Sequence, residues 1–145
     1  MEARPQVNEN GSAGTALLGL LRFRLLVVSE QNGELEQAVE TTAERDWCDG
    51  CGVAAVAHGR RLVQVRDLPS AGRPVTLLWV KRLWRCPEPA CPRRTWTARS
   101  EHIRARASLT ERARREACRL VGLDVDGARR SSLALLIESP HPERW

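Results

Sequence analysis

Two pairs of cysteines constrain the fold of this chain more than any other feature. Cys48-Asp-Gly-Cys51 is followed by Gly52, and 34 residues separate it from Cys86-Pro-Glu-Pro-Ala-Cys91. Each pair fits a tight turn whose backbone amides point at the sulfurs. Gly52 stands where such a turn often needs a positive φ. Between the pairs, Arg61–Leu68 and Val75–Arg85 read as strands, and an antiparallel hairpin of the two would bring the turns together. Zinc takes four ligands tetrahedrally, and four thiolates close the site to water, so the metal would be structural rather than catalytic. Cys48, Cys51, Cys86 and Cys91 are therefore the expected ligands of one structural zinc ion. A small chain often needs such a staple. With aromatics at 4% of 145 residues, no Tyr and one Phe, its core must lean on Leu, Val and Ala.

Other chemistries use the same residues. A thioredoxin-type redox pair would use Cys48 and Cys51 alone, but such a pair opens a helix in a βαβ unit. Here Gly52 and a strand follow, and the second pair would be idle. Iron–sulfur ligation by the four thiolates and two buried thiol pairs without function also remain open. Leu17–Val28 is apolar but is broken by Arg22 and Arg24. It is too short for a transmembrane helix and wrongly flanked for a signal peptide. The expected location is the cytoplasm, where thiols stay reduced, which favours metal over disulfide.

The remaining pattern predicts a mainly β chain with one C-terminal α-helix, a small zinc ribbon built on antiparallel hairpins. Residues 1–16 read as a disordered leader and 17–107 as the ribbon domain. Arg22–Ser29 and Gly33–Thr42 form a hairpin around Gln31-Asn32-Gly33. In its second strand Leu35, Gln37 and Val39 face one way, and Glu34, Glu36 and Glu40 share a solvated face. Pro69–Pro74 reads as a loop. Residues 108–122 read as a basic amphipathic helix with Ser108 as N-cap, Glu111 completing a capping box, and Leu109, Ala113, Ala117, Leu120 and Val121 on one face. Residues 123–145 read as an irregular tail of truncated or frameshifted kind. Cys118 is expected as a small, partly buried hydrophobe. His58 reads as a surface residue, and His102 and His141 as isolated.

Charge is distributed unevenly. The net charge is +5, but Arg60–Arg119 holds 16 basic and 5 acidic residues, whereas Met1–Gly59 holds 4 and 9. A basic block points to a polyanionic partner, most often nucleic acid. All but one of the 23 basic residues are Arg. Arg60, Arg61, Lys81, Arg82, Arg85, Arg93 and Arg94 are the expected phosphate contacts, near Trp79, Trp84 and Trp96. Each of these Trp residues reads more readily as core than as a base-stacking group. No Ser-His-Asp arrangement, P-loop or dinucleotide loop is present.

The run Asp46-Trp-Cys-Asp-Gly-Cys-Gly52, with His58-Gly-Arg-Arg61, Arg66-Asp-Leu-Pro69, Gly72-Arg-Pro74, Arg82 through Cys86 and Cys91-Pro-Arg-Arg-Thr-Trp96, resembles the N-terminal zinc-binding segment of bacterial insertion-sequence transposases of the ISL-three type. The resemblance spans about Leu17 to Gly122. It implies zinc on the four cysteines and contact with transposon terminal-repeat DNA. In that family a helix-turn-helix and a catalytic domain with three acidic metal ligands follow. Asp124–Trp145 does not resemble them, so the expectation is a DNA-binding module without catalysis. Its helix would leave exposed an apolar face that packs on a further domain in the family. The other class of function is a protein-interaction module that pairs with full-length transposase and inhibits it. A thiol-disulfide enzyme is the third.

Overall fold

Two short turns organise the sheet. Strands β2 (Phe23–Gln31) and β3 (Glu34–Thr41) are joined by Asn32-Gly33, with φ of 51° and 78°. Strands β4 (Val56–Ser70) and β5 (Arg73–Arg85) are joined by Ala71-Gly72, with φ of 52° and 72°. Positive φ at both central positions marks the turn whose twist matches paired strands. The computed structural model describes residues 6–7 and 18–121. Within the expected leader, Gln6–Val7 forms β1 against β2. The rest of that leader and the tail at 123–145 lie outside the described residues.

The expected loop Pro69–Pro74 is shorter than its two prolines suggested. Ser70 pairs with Arg73, and the register shifts between Asp67 and Ser70. Pro69 thus sits at a bulge, where its missing N–H is tolerated. Ala71 is the weak point, because an L side chain in the left-handed region costs about 1–2 kcal/mol. Ala71→Asn is expected to raise stability by about 0.5–1 kcal/mol. Thermal unfolding followed by circular dichroism checks this, and an unchanged midpoint would refute it.

Both hairpins are antiparallel as expected, but the sheet that unites them is mixed. Its order is β1-β2-β3-β5-β4, and β3 runs parallel to β5. A final strand, β6 (Thr95–Thr97), pairs with Leu83–Arg85 of β5. β4 occupies one edge of β5, so β3 and β6 follow each other along the other edge. This direction of travel puts both turns at one end, where Arg73 Nη1 reaches Glu30 Oε2 at 2.6 Å. The end of β3, the start of β4 and the end of β5 then meet at the opposite end, and both cysteine pairs lie there.

One face of the sheet carries the core. Val39, Val65, Val75, Leu77 and Trp79 pack with Phe23 and Leu25, covered by Leu18, Leu20, Ala98 and Ile103. The Phe23 ring meets Trp79 edge-on, with centroids 5.5 Å apart. The predicted facing of Val39 holds, but the solvated face does not. Glu40 is buried, paired with Arg24 and, at 3.5 Å, with Arg60. Glu34 is half-buried and lies 3.6 Å from Arg66. Neighbouring strands bring guanidinium groups over these carboxylates, which the isolated strand pattern could not reveal.

The helix α1 (Glu111–Val121) starts later than expected. Ser108 is not its cap. The Ser108 carbonyl accepts the Arg66 amide at 2.8 Å, and Leu109 bridges to Arg66 as an extension of the sheet. Thr110 caps instead: its hydroxyl accepts the Ala113 amide at 3.2 Å and donates to Asp67 at 2.7 Å. Glu111 pairs with Arg104 at 2.6 Å and Arg114 at 3.3 Å rather than closing a capping box. The apolar face of α1 is covered within the chain. Ala113 and Leu120 are buried, with Leu68, Leu109 and Ala117 packed against them. Val121 and Cys118 are exposed, against expectation, because the stripe that meets β4 is narrower than the sequence pattern.

Candidate metal centre

The first knuckle is built by its own backbone. Trp47 bridges to Ala54, and the Cys48 amide donates to the Val53 carbonyl at 2.9 Å. The chain then reverses through Gly50 and Gly52, whose amide reaches the Cys48 carbonyl at 2.8 Å. Gly52 has φ of 75°, as its place after the second cysteine predicts. In the second knuckle the Cys86 amide donates to the Arg94 carbonyl at 2.9 Å and the Cys91 amide to the Glu88 carbonyl at 3.1 Å. Pro87, Pro89 and Pro92 lie in a segment without helix or strand.

The knuckles are held together by polar contacts as well as by the sheet. The Trp96 indole donates to Asp46 Oδ2 at 2.8 Å, and Arg93 Nη1 lies 2.9 Å from Asp49 Oδ2. Arg93 also stacks over Trp96, 5.4 Å from its centroid. All four candidate sulfurs lie within 4.8 Å of one another. Cys48 and Cys91 are 3.6 Å apart, and Cys51 and Cys86 are 3.5 Å apart. Sulfurs around tetrahedral zinc stand roughly 3.8 Å apart, given Zn–S of about 2.3 Å. The four are free thiols, three of them buried, with Cys51 exposed. Four converging soft donors within this distance of one another fit a structural zinc ion. The redox alternative fits poorly, since the Cys48–Cys51 turn leads into strand β4 and not into a helix.

The thiols share protons unequally. Burial pushes Cys48 up, but amides of Cys51 and Gly50 and hydrogen bonds from Cys91 and Cys86 outweigh it and bring the group down to about 7. Burial dominates at Cys86, opposed by the Glu88 amide and reinforced by the neighbouring thiols, and pushes it up to about 12. At Cys91 the Arg93 amide lowers the thiol, but burial and the neighbouring Cys48 and Cys51 raise it on balance. Four adjacent thiolates repel one another, so full ionisation needs a cation among them.

Gly50 matters in a way its spacing alone did not reveal. Its amide lies 3.4 Å from Cys48 Sγ, and a Cβ there would stand 3.2 Å from Cys91 Sγ. Gly50→Ala is therefore expected to weaken zinc retention about tenfold, with little change in the sheet core. Competition with a chromophoric chelator measures this, and wild-type retention would refute the crowding argument.

The basic candidates divide between surfaces. Arg60 and Arg82 are cross-strand partners on one face of β4–β5, with Arg60 also near Glu40. Arg61 and Lys81 are partners on the other face, and Lys81 lies 4.8 Å over the Trp79 ring. Burial, reinforced by Arg61, lowers the Lys81 ammonium. Arg85 and Arg94 are exposed near the thiol end, where Arg93 is engaged with Asp49. Trp79 and Trp84 are core residues, as expected, and Trp96 packs against the thiol cluster. Trp47 enters the sequence reading only through the family motif, yet the residue is 55% exposed beside Cys48, near exposed Val53 and Val56. Arg22, Arg45 and Arg99 are not among the expected phosphate contacts, although Arg99 belongs to the basic run after the second knuckle; they come from separate segments and only the fold assembles them. His58 is on the surface, and His102 lies 6.2 Å from the Phe23 ring. His141 lies outside the described residues.

Among the described residues no helix is long and apolar enough to cross a membrane. No curated protein and no solved structure matches the chain. Residues 44–95 match the family described as the zinc-finger of transposase IS204/IS1001/IS1096/IS1165. All four clustered cysteines fall inside that match, which is to a metal-binding rather than a catalytic domain. The segment that builds the thiol centre thus matches the zinc-finger of these transposases, of the ISL-three type, and its four clustered cysteines are placed to hold one metal ion.

Proposed function

We propose that the chain is a non-catalytic DNA-binding module in which Cys48, Cys51, Cys86 and Cys91 hold a structural zinc ion. Arg60, Arg61, Lys81, Arg82, Arg85, Arg93 and Arg94 contact phosphates of transposon terminal repeats. The observation that carries this reading is the thiol cluster inside a segment matching a transposase zinc-finger. The basic balance from Arg60 to Arg119 supports the polyanionic partner. Because Arg60 and Arg82 lie on the opposite face of β4–β5 from Arg61 and Lys81, one duplex meets about four or five of the seven at once, which gives a slope of log affinity against log salt of roughly −3.5 to −4.5. Anisotropy titrations of a labelled duplex between low and physiological salt measure it. A flat response would refute the phosphate contacts.

A second reading has one observation in its favour. Trp47 and Val53 on the first knuckle and Val56 at the start of β4 expose apolar surface, as a protein-interaction module pairing with full-length transposase would. Co-purification with transposase that Trp47→Ser abolishes, without DNA retention, would favour it.

A further inference from the structure

Strand β4 ends the sheet, and among the described residues β5 is its only strand neighbour. Successive residues of a strand aim their backbone groups to opposite sides, so every second residue of β4 turns its amide and carbonyl away from β5. Arg66 fixes which ones. Its amide donates to the Ser108 carbonyl at 2.8 Å and its carbonyl accepts the Thr110 amide at 2.9 Å, so Arg66 points outward. The register with β5 runs unbroken from Arg60 to Asp67. Gln64, Leu62 and Arg60 therefore point outward as well. At Arg66 the chain fills its own edge, with Leu109 bridging in parallel. Among the described residues the outward groups of Arg60, Leu62 and Gln64 have no such partner, and all three residues are exposed.

The flanks of this edge are cationic. Arg60 and its cross-strand partner Arg82 lie on one face, Arg61 and Lys81 on the other. Among the described residues Arg61, Lys81 and Arg82 make no ion pair. Arg60 reaches only Glu40, at 3.5 Å, and its side chain is 58% exposed. Glu40 is already held by Arg24. Between these cations and Gln64, Leu62 offers an apolar side chain that is itself mostly exposed.

Backbone chemistry selects the occupant first. A row of alternating N–H and C=O groups is matched by an extended polypeptide, which carries both kinds at the same spacing. A phosphate backbone only accepts and would leave the carbonyls unpaired. Charge then selects among polypeptides. A second copy of β4 would bring two sets of like cations together, which is how charged edges avoid pairing with themselves. A strand bearing carboxylates turns the same charges into attraction. We propose that the Arg60–Gln64 edge of β4 takes an acidic, extended segment of a partner protein as an added strand, with its carboxylates beside Arg60 and Arg61. The inference does not rest on the DNA-binding reading, because it uses the outward backbone of β4, which phosphate contacts to side chains leave alone.

The test uses the zinc-loaded full chain and a labelled peptide of alternating glutamate and valine, about eight residues long, followed by fluorescence anisotropy and residue-resolved hydrogen exchange. Leu62→Pro removes one outward amide and none that faces β5, and it is expected to weaken peptide binding about tenfold. Leu62→Ala keeps that amide and should lose less than about threefold. Neither variant removes a cation, so affinity for a mixed-sequence duplex should stay within about twofold of wild type. Bound peptide should slow exchange at Arg60, Leu62 and Gln64 in the unaltered chain. That arm decides the matter even where zinc content and circular dichroism show that Leu62→Pro has lost its fold. Unchanged exchange at the three amides would overturn the added strand, as would equal losses in the two variants. A fully N-methylated peptide binding as well as its parent would overturn it too, assigning the attraction to charge alone. Salt-dependent duplex binding with no peptide binding would sink the edge and leave the DNA reading standing. Peptide binding that Leu62→Pro weakens, without duplex binding, would do the reverse.

Discussion

Stripping the metal with a chelator is expected to unfold the thiol end of the molecule and leave the sheet core folded. Structural zinc sites contribute on the order of 10 kcal/mol to folding, comparable with the whole stability of a small domain. Among the described residues the buried cysteines Cys48, Cys86 and Cys91 cluster with one another and with Trp96, apart from the Phe23, Val39, Leu77 and Trp79 core. Loss of the ion should therefore release the amides of Cys48, Gly52, Cys86 and Cys91 to hydrogen exchange while Val65 and Leu77 stay protected. Cys86→Ser should do the same at normal zinc levels. Unchanged protection after chelation would refute the metal centre, and global unfolding would refute the independence of the core. The same experiment has a pH arm. Cys48 is held at about 7, Cys86 at about 12 and Cys91 above its ordinary value, so near neutral pH most thiols are protonated. Zinc must displace those protons, and its affinity should fall by about two to three decades per unit as pH drops from 8 to 6. Without metal the signs differ by group. The raised Cys86 stabilises the fold below pH 9, and that contribution is lost as pH rises towards 12. The lowered Cys48 stabilises it above pH 9, and that contribution is lost as pH falls through 7.

Asp67→Ala is expected to be the most damaging single change remote from the metal. Asp67 is 2% exposed. It accepts from the Thr110 hydroxyl at 2.7 Å and from Arg112 Nε at 2.8 Å, and its second oxygen pairs with Arg112 Nη2. Arg112 in turn donates to the carbonyls of Leu18 at 3.0 Å and Gly19 at 3.4 Å. Its guanidinium is raised above its ordinary value by the hydrogen bond to Asp67, against an opposing effect of burial. One carboxylate thus ties β4, the cap of α1 and the segment before β2 together. Breaking a buried pair on one side costs about 3–5 kcal/mol. Arg112 is partly exposed and can rehydrate, which places the expected loss near 3 kcal/mol, or a midpoint about 15 °C lower. Asp67→Asn should fall between, since it can still accept from Thr110. The double variant with Arg112→Met should cost less than Asp67→Ala alone, because no orphaned charge remains. Equal midpoints for wild type and Asp67→Ala would refute the role of this node.

The sequence by itself determined the local pieces. Spacing within Cys48–Cys51 and Cys86–Cys91 set the knuckles, Asn32-Gly33 set the first hairpin turn, and Gly52 set the reversal after the first pair. In each case a backbone requirement is met by residues adjacent in the chain. Alternation found the core side of Val39 and the central run of β5. What depends on distant neighbours was not legible. The cap of α1 moved from Ser108 to Thr110 because β4 captures the Ser108 carbonyl at Arg66. Glu40 went inside because Arg24 and Arg60 meet over it. Only the tertiary structure made β3 parallel to β5, and that direction carries the ends of three strands, and with them all four thiols, to one end of the sheet. It also brought Arg22, Arg45 and Arg99 together beside Trp96. Strand direction and cross-strand neighbours are decided by which faces the whole chain can bury together, and no window of adjacent residues carries that information.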